Sequence, residues 1–493
     1  MLLDMANQPL LSPSFLFGVA TAGFQIEGGY NGPEEPANNW AQWEVEGRVE
    51  PSGSATQFLT TYGDQLDRAQ SMGLNSFRLS LEWARIEPVR GVIDDDAIAL
   101  YRSILGAIQQ RGMEPVVTMH HFTHPSWLGS EPWIKSENAL VLAAWMKRCV
   151  ETFGDLVTKW VTINEPNILS INSFLTGLFP PGHSGDVQGC ATSFDTLLTA
   201  HVLGYDAIKD VQPQSMVTTN PYTLSIYELD GLATDLLLSQ REGVDDAEVV
   251  PYLLEQRRAH YLRIGSGGTG ARGALERFLR RIAASQFPTA ESLKGTRTAL
   301  KESSNSEHLD VVAVDHYVPL ASTHLVMPGR QSSGGRWWKP GRALWDDEPD
   351  LAMFSAVLNE AARYGLPVWI LENGMSSRVR NGRSYGRMDS LQRPRYLAEH
   401  LQAVVDAHER GVDVQGYWHW TLIDNYEWGS YEPRFGLYGM DRERGLVVSD
   451  TDALGDDAAG AYRNLIQQIR TGGPGDLILN ATRASTSRPN VDS

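Results

Sequence analysis

Cysteine is nearly absent from this 493-residue chain: Cys149 and Cys190 are the only two. That excludes a disulfide framework and any multi-cysteine metal cage. Basic charge is missing from the amino-terminal stretch, where no lysine or arginine precedes Arg48. The basic n-region of a secretory signal is therefore lacking, and a reducing cytoplasm is the expected compartment. No apolar run is long enough to span a bilayer, and no short-period repeat points to a solenoid. Positive charge is also scarce overall: 42 Lys and Arg against 60 Asp and Glu give a formal charge of -18 and a pI near 5.1. Nucleic acid and anionic membrane would be repelled over most of such a surface, so a neutral small molecule is the easier partner. With 42% hydrophobic and 21% charged residues, the composition is that of an ordinary globular protein with material for a large core.

The most informative stretch is Trp160, Val161, Thr162, Ile163, Asn164, Glu165 and Pro166. It reads as a buried strand, and Pro166 cannot continue a ladder, so Asn164 and Glu165 are left at the strand tip. The design recurs at residues 367–374, where an apolar run ends in Glu372, Asn373 and Gly374. Either glutamate alone reads as a solvated side chain; two strands with the same ending make that reading the weaker one. In a closed parallel barrel the carboxyl ends of distant strands converge on one face. Paired carboxylates there are the minimal machinery of glycoside hydrolysis.

The rest of the chain alternates strand and helix. Strand patterns fall at residues 15–28, 76–83, 114–122, 160–165, 215–222, 309–317, 367–374 and 414–420. Helical patterns fall at 61–72, 95–111, 136–153, 193–210, 352–364 and 459–470. Eight strands separated by helical sequence predict an α/β fold, a (β/α)8 TIM barrel in one domain with long loops at its C-terminal face. The domain is expected over residues 14–470, after a lead-in at 1–13 and before a disordered Gly-, Pro- and Ser/Thr-rich tail at 471–493. Residues 223–308, mostly helical and without a pattern of their own core, read as an insertion over the barrel mouth. Arg78 lies inside an apolar strand and demands a buried partner.

Taken in order, these strand-end motifs resemble those of the family 1 glycoside hydrolases, retaining β-glycosidases on a (β/α)8 barrel. The likeness runs from about residue 15 to residue 470. Thr162 to Pro166 matches the family's acid/base motif, and Ile370 to Gly374 its nucleophile motif, with Leu371 where threonine is usual. The resemblance implies that Glu372 attacks the anomeric carbon while Glu165 protonates the leaving oxygen and later activates water. Arg78 matches the family arginine beside the nucleophile, and Tyr317 the tyrosine that hydrogen-bonds it. Asp315 and His316 depart from the usual Asn-Tyr, which leaves the local hydrogen-bond network open. Gln25, His121, Asn164, Glu427 and Trp428 match sugar-binding positions, Trp420 the aromatic floor, and Trp345 the aglycone side. Glu427 and Trp428 together imply an unphosphorylated sugar. The implied activity is hydrolysis of terminal β-D-glucosyl residues, with galactosyl or fucosyl residues as alternatives, and no cofactor.

Other signals carry less. His120, His121 and His124 have no acidic or cysteine ligand at useful spacing, so no metal site is expected. Residues 268–273 spell a dinucleotide fingerprint, but a helical pattern and not a strand precedes them. Asn480, Ala481 and Thr482 form a glycosylation acceptor only in a secreted protein. Two rivals share the scaffold: a transglycosidase, which product analysis with alcohol acceptors separates, and a catalytically silent sugar-binding protein, against which both glutamates weigh.

Overall fold

The computed structural model describes residues 8–30, 32, 35–223, 226–263, 289, 291–317, 349–380, 383–387, 389–472 and 477–478. Eight parallel strands form its centre: β1 Leu16–Ala20, β2 Ser76–Ser80, β3 Glu114–Thr118, β4 Lys159–Asn164, β5 Met216–Asn220, β6 Val312–His316, β7 Val368–Asn373 and β8 Val414–Trp420. Their spatial order is β5-β4-β3-β2-β1-β8-β7-β6. The remaining gap is bridged where Asp310 N donates to Val217 O at 2.9 Å and Thr223 N to Asp315 O at 2.8 Å. The sheet is thus a near-closed barrel. Its strands are buried on both faces, which is why they read as apolar runs and not as alternating patterns.

Around the barrel stand α1 Phe58–Ser71, α2 Asp95–Gln110, α3 Asn138–Phe153, α4 Val187–Val211, α5 Lys294–Glu302, α6 Leu351–Ala362, α7 Arg393–Glu409 and α8 Ala458–Thr471. Local chemistry sets their starts. Asp94 caps α2 by accepting from Ala97 N at 2.9 Å, with Asp95 and Asp96 following in the first turn, where the helix dipole favours negative charge. Asp186 caps α4 in the same way at Gly189 N, 2.8 Å, so that helix begins six residues before the apolar pattern that marked it.

Three strands stop three or more residues earlier than the sequence suggests. The first ends at Ala20, where Thr21 N and Oγ1 both donate to the carbonyl of Arg78 at 2.9 Å. The chain then turns into a single helical turn, Gly23–Ile26. The second ends at Ser80 and passes into a short helix, Trp83–Ile86. The third ends at Thr118, and Phe122 has a positive φ of 66°. In each case the apolar residues past the strand are buried under loops, which periodicity alone cannot separate from burial in a ladder.

The helices Gly231–Leu237 and Val249–Arg263, together with α5, have no core separate from the rest of the chain, as the sequence pattern suggests, but share one with α4. Tyr227, Leu236, Leu253 and Leu300 bury themselves with Phe194 and Leu198 of α4 in a second apolar cluster. The described part of the insertion therefore packs on the barrel's flank. Of the carboxyl-terminal tail, Leu477 is buried and its N–H donates to Gln402 Oε1 at 3.2 Å. Both cysteines are free and buried. Among the described residues no helix is long and apolar enough to cross a membrane.

Candidate active site

Arg78 stands at the centre of the strand ends. It is fully buried on β2 and spends each guanidinium nitrogen on a different strand. Nη1 donates to Glu372 Oε1 at 2.6 Å and Nη2 to Asn164 Oδ1 at 2.6 Å, while Nε donates to Thr118 Oγ1 at 3.1 Å. A buried charge is tolerable only when paired and fully hydrogen-bonded. That requirement draws β2, β3, β4 and β7 together. Tyr317, just past β6, donates to Glu372 Oε2 at 2.8 Å, so both oxygens of this carboxylate are held.

Glu165 sits between the end of β4 and a helix, Pro166–Phe174, that starts with proline in its favoured first position. Its backbone is left-handed, φ 39° and ψ 60°, a conformation costing a side-chain-bearing residue about 1–2 kcal/mol. Glu165 N donates to Asn220 O at 2.9 Å, and Leu169 N returns a bond to Glu165 O at 3.0 Å. The turn so fixed brings its carboxylate against that of Glu372. Glu165, Glu372 and Asp315 each place an oxygen within 4.8 Å of the others.

Electrostatics separates these acids. Burial, then the negative charges of Glu372 and Asp315, push the Glu165 carboxyl well above the ordinary range. Burial also pushes Glu372 up, opposed by the Arg78 guanidinium and the Tyr317 hydroxyl. Of the three, Glu372 alone touches the cation, so it is the one that ionises first. Asp315 is raised by burial and by Glu372.

Around this pair lie polar groups at the same strand ends. Gln25, in the turn after β1, donates to Tyr426 O at 2.6 Å and to Glu427 Oε2 at 3.2 Å, leaving its own Oε1 buried and unpartnered. Trp420 Nε1 donates to the other oxygen of Glu427 at 3.0 Å. Burial pushes Glu427 up to about 8 against these two donors. Asn164 Nδ2 lies 3.1 Å from His121 Nε2, so that nitrogen accepts and the proton sits on Nδ1, which has no protein partner. Burial and the nearby Arg78 hold His121 neutral. Its ring lies nearly parallel to Trp420 and Trp428, at centroid distances of 6.0 and 5.7 Å. Unsatisfied buried polar atoms beside aromatic faces are what a sugar site presents before its ligand arrives.

Sequence reasoning named Glu165, Glu372, Arg78, Asn164, Tyr317, Gln25, His121, Trp420, Glu427 and Trp428, and the fold gathers all ten at one end of the barrel. Trp345 lies outside the described residues. Missed were Thr118 and Asn220. Asn220 Nδ2 donates to Asn164 Oδ1 at 2.7 Å and also bonds Asp315 Oδ2. Its place at the end of β5 was the available signal. Of the three histidines, His124 Nε2 donates to Gly129 O at 3.1 Å, and both His120 and His124 lie edge-on to Trp133.

A family model described as Glycosyl hydrolase family 1 matches residues 8–241 and 332–462. The chain belongs to glycosyl hydrolase family 1. This family 1 chain is 27% identical to Beta-glucosidase 47 of Arabidopsis thaliana over 488 residues, covering 94% of the chain and 86% of the relative. It is 26% identical to the "Probable inactive beta-glucosidase 14" of Oryza sativa subsp. japonica over 458 residues, 86% of each. The family 1 β-glucosidase of Thermotoga maritima superposes with a TM-score of 0.71 at 21% identity, covering 94% of this chain and 99% of that one; this likeness shows the TIM-barrel fold. The protein is a β-glucosidase-like glycoside hydrolase.

Proposed function

We propose that this family 1 hydrolase releases terminal, unphosphorylated β-D-glucosyl residues, with galactosyl or fucosyl accepted at the same site, by double displacement with net retention. The observation that carries the reading is the approach of Glu165 and Glu372 oxygens within 4.8 Å. Retaining enzymes hold their two carboxyls about 5–5.5 Å apart, whereas inverting ones need about 6.5–9.5 Å to fit a water between them.

Glu372, ionised and aligned by Arg78 and Tyr317, attacks the anomeric carbon as the bond to the aglycone oxygen breaks. Glu165 gives its proton to that oxygen. In the second step Glu165 takes a proton from water, whose oxygen attacks the same carbon and frees Glu372. Gln25 Oε1, His121 Nδ1 and the Glu427 carboxyl would hold ring hydroxyls, with Trp420 beneath the apolar face. The Glu427–Trp428 pair, which matches family members acting on unphosphorylated sugars, supports an unphosphorylated sugar.

Glu372→Ala tests the assignment. Turnover of an aryl β-glucoside is expected to be abolished, and azide to restore it with an α-glycosyl azide as product. Substantial unaided activity in this variant would refute the nucleophile role.

A further inference from the structure

The third carboxyl of the cluster has no part in the reaction as written, yet it is built into the site. Asp315 is the fourth residue of β6 and fully buried. Its Oδ2 accepts from Asn220 Nδ2. Its Oδ1 is buried and receives no N–H or O–H donor. The Glu165 carboxyl places an oxygen within 4.8 Å of an oxygen of this one, close enough for each to perturb the other's proton. Two carboxyls can bond to each other only if a proton lies between them, because ionised carboxylates are acceptors alone. An unsatisfied buried oxygen is costly, and two like charges in contact cost more.

We propose that Asp315 is a positioning residue that shares one proton with Glu165, so that the acid of this site is the Glu165–Asp315 pair and not Glu165 alone. The inference rests on the retaining reading above and deepens it. In the resting site the pair carries one proton and one negative charge, and Glu372 carries its charge against Arg78. When the aglycone oxygen takes the proton, its bond to the anomeric carbon breaks and the bond from Glu372 forms. Glu372 is then a neutral ester, and Arg78 is left facing two anionic carboxylates. Their mutual repulsion makes Glu165 a stronger base toward water in the second step, and the proton taken from water restores the pair. Atoms and charge balance over the cycle with no further reactant.

The charged or titratable groups facing the pair are Arg78 from β2, Glu372 from β7 and Tyr317 beyond β6, with His121 behind Asn164 and Glu427 beyond Glu372. Arg78 is committed to Glu372 and Asn164, and burial holds His121 neutral. Neither donates to Asp315 Oδ1.

The test is Asp315→Asn, which keeps the shape and removes the charge. With that charge gone Glu165 loses its proton more readily, so the basic limb of the kcat/KM pH profile is expected to move down by about one unit. Lower activity with the limb unmoved would be a merely structural effect and would overturn the proposal. A native basic limb near the pKa of an unperturbed glutamate, about 4.3, would overturn it without any variant. Asp315→Ala carries the same expectation should the amide variant not fold. The infrared difference between native and Asp315→Asn protein at pH 7 reads the resting proton with no turnover. It is expected to show the shared-proton carboxyl band replaced by the band of a carboxylic acid hydrogen-bonded to an amide, and no difference band sinks the pairing. Failure to hydrolyse any β-glycoside would count against the retaining reading instead, leaving this spectrum to decide the proton.

Discussion

Tyr317 shows how much a single hydroxyl is asked to do. Glu372 must stay ionised although buried, and its two oxygens are satisfied by one cation and one phenol, Arg78 at 2.6 Å and Tyr317 at 2.8 Å. Tyr317→Phe removes the second without altering packing. A hydrogen bond to a charged group contributes about 1.5–3 kcal/mol, so kcat for an aryl β-glucoside is expected to fall about ten- to a hundredfold. Stability should change little, and unchanged kcat would show that the bond does not act on the carboxylate. At this scale the sequence was most legible where a residue was out of place. An arginine in an apolar strand and a glutamate at a strand tip each required a partner. Asp315 was visible as a departure from the family pattern, but its place beside Glu165 was not, since it depends on how β4, β5 and β6 align.

At the scale of the element, strand ends decide the site. The end of β7 passes so close to β8 that a Cβ on Gly374 would lie 2.3 Å from the carbonyl oxygen of Trp420. Asn373 fixes the same end from both sides, donating to His316 O at 2.5 Å and accepting from Tyr417 Oη at 2.8 Å. The asparagine and glycine that follow Glu372 are therefore a docking device for the strand that carries it. Gly374→Ala must push β7 away from β8 and shift Glu372 off Arg78. It is expected to lower the unfolding free energy by about 1–3 kcal/mol and to reduce activity more than hundredfold. Chemical denaturation and initial rates measure the two; a stable, fully active variant would contradict the argument. Element identity was legible for the eight strands and for most of the helices around them, because buried strands and amphipathic helices differ in pattern, but α7 and the helix Pro166–Phe174 went unread. Strand ends were not legible: residues such as Phe24, Ile26 and Phe122 are as buried as those in the ladder, and sequence records burial, not hydrogen bonding. The second apolar cluster on α4 was illegible for a related reason, since neither the insertion nor α4 contains it alone.

The whole molecule turns a linear order into a ring. Glu165 and Glu372, 207 positions apart by their numbers, meet because β5 and β6 come together across the gap in the sheet, and the strand ends then share one face. Chain order predicts that meeting only through the barrel, and the barrel was legible from eight strands and their intervening helices. What chain order leaves open is the separation of the two carboxyls, and that separation chooses between stereochemical outcomes. Proton NMR of the first sugar released from an aryl β-glucoside, recorded before mutarotation sets in, reads the outcome directly. The account predicts the β-anomer; the α-anomer appearing first would contradict it.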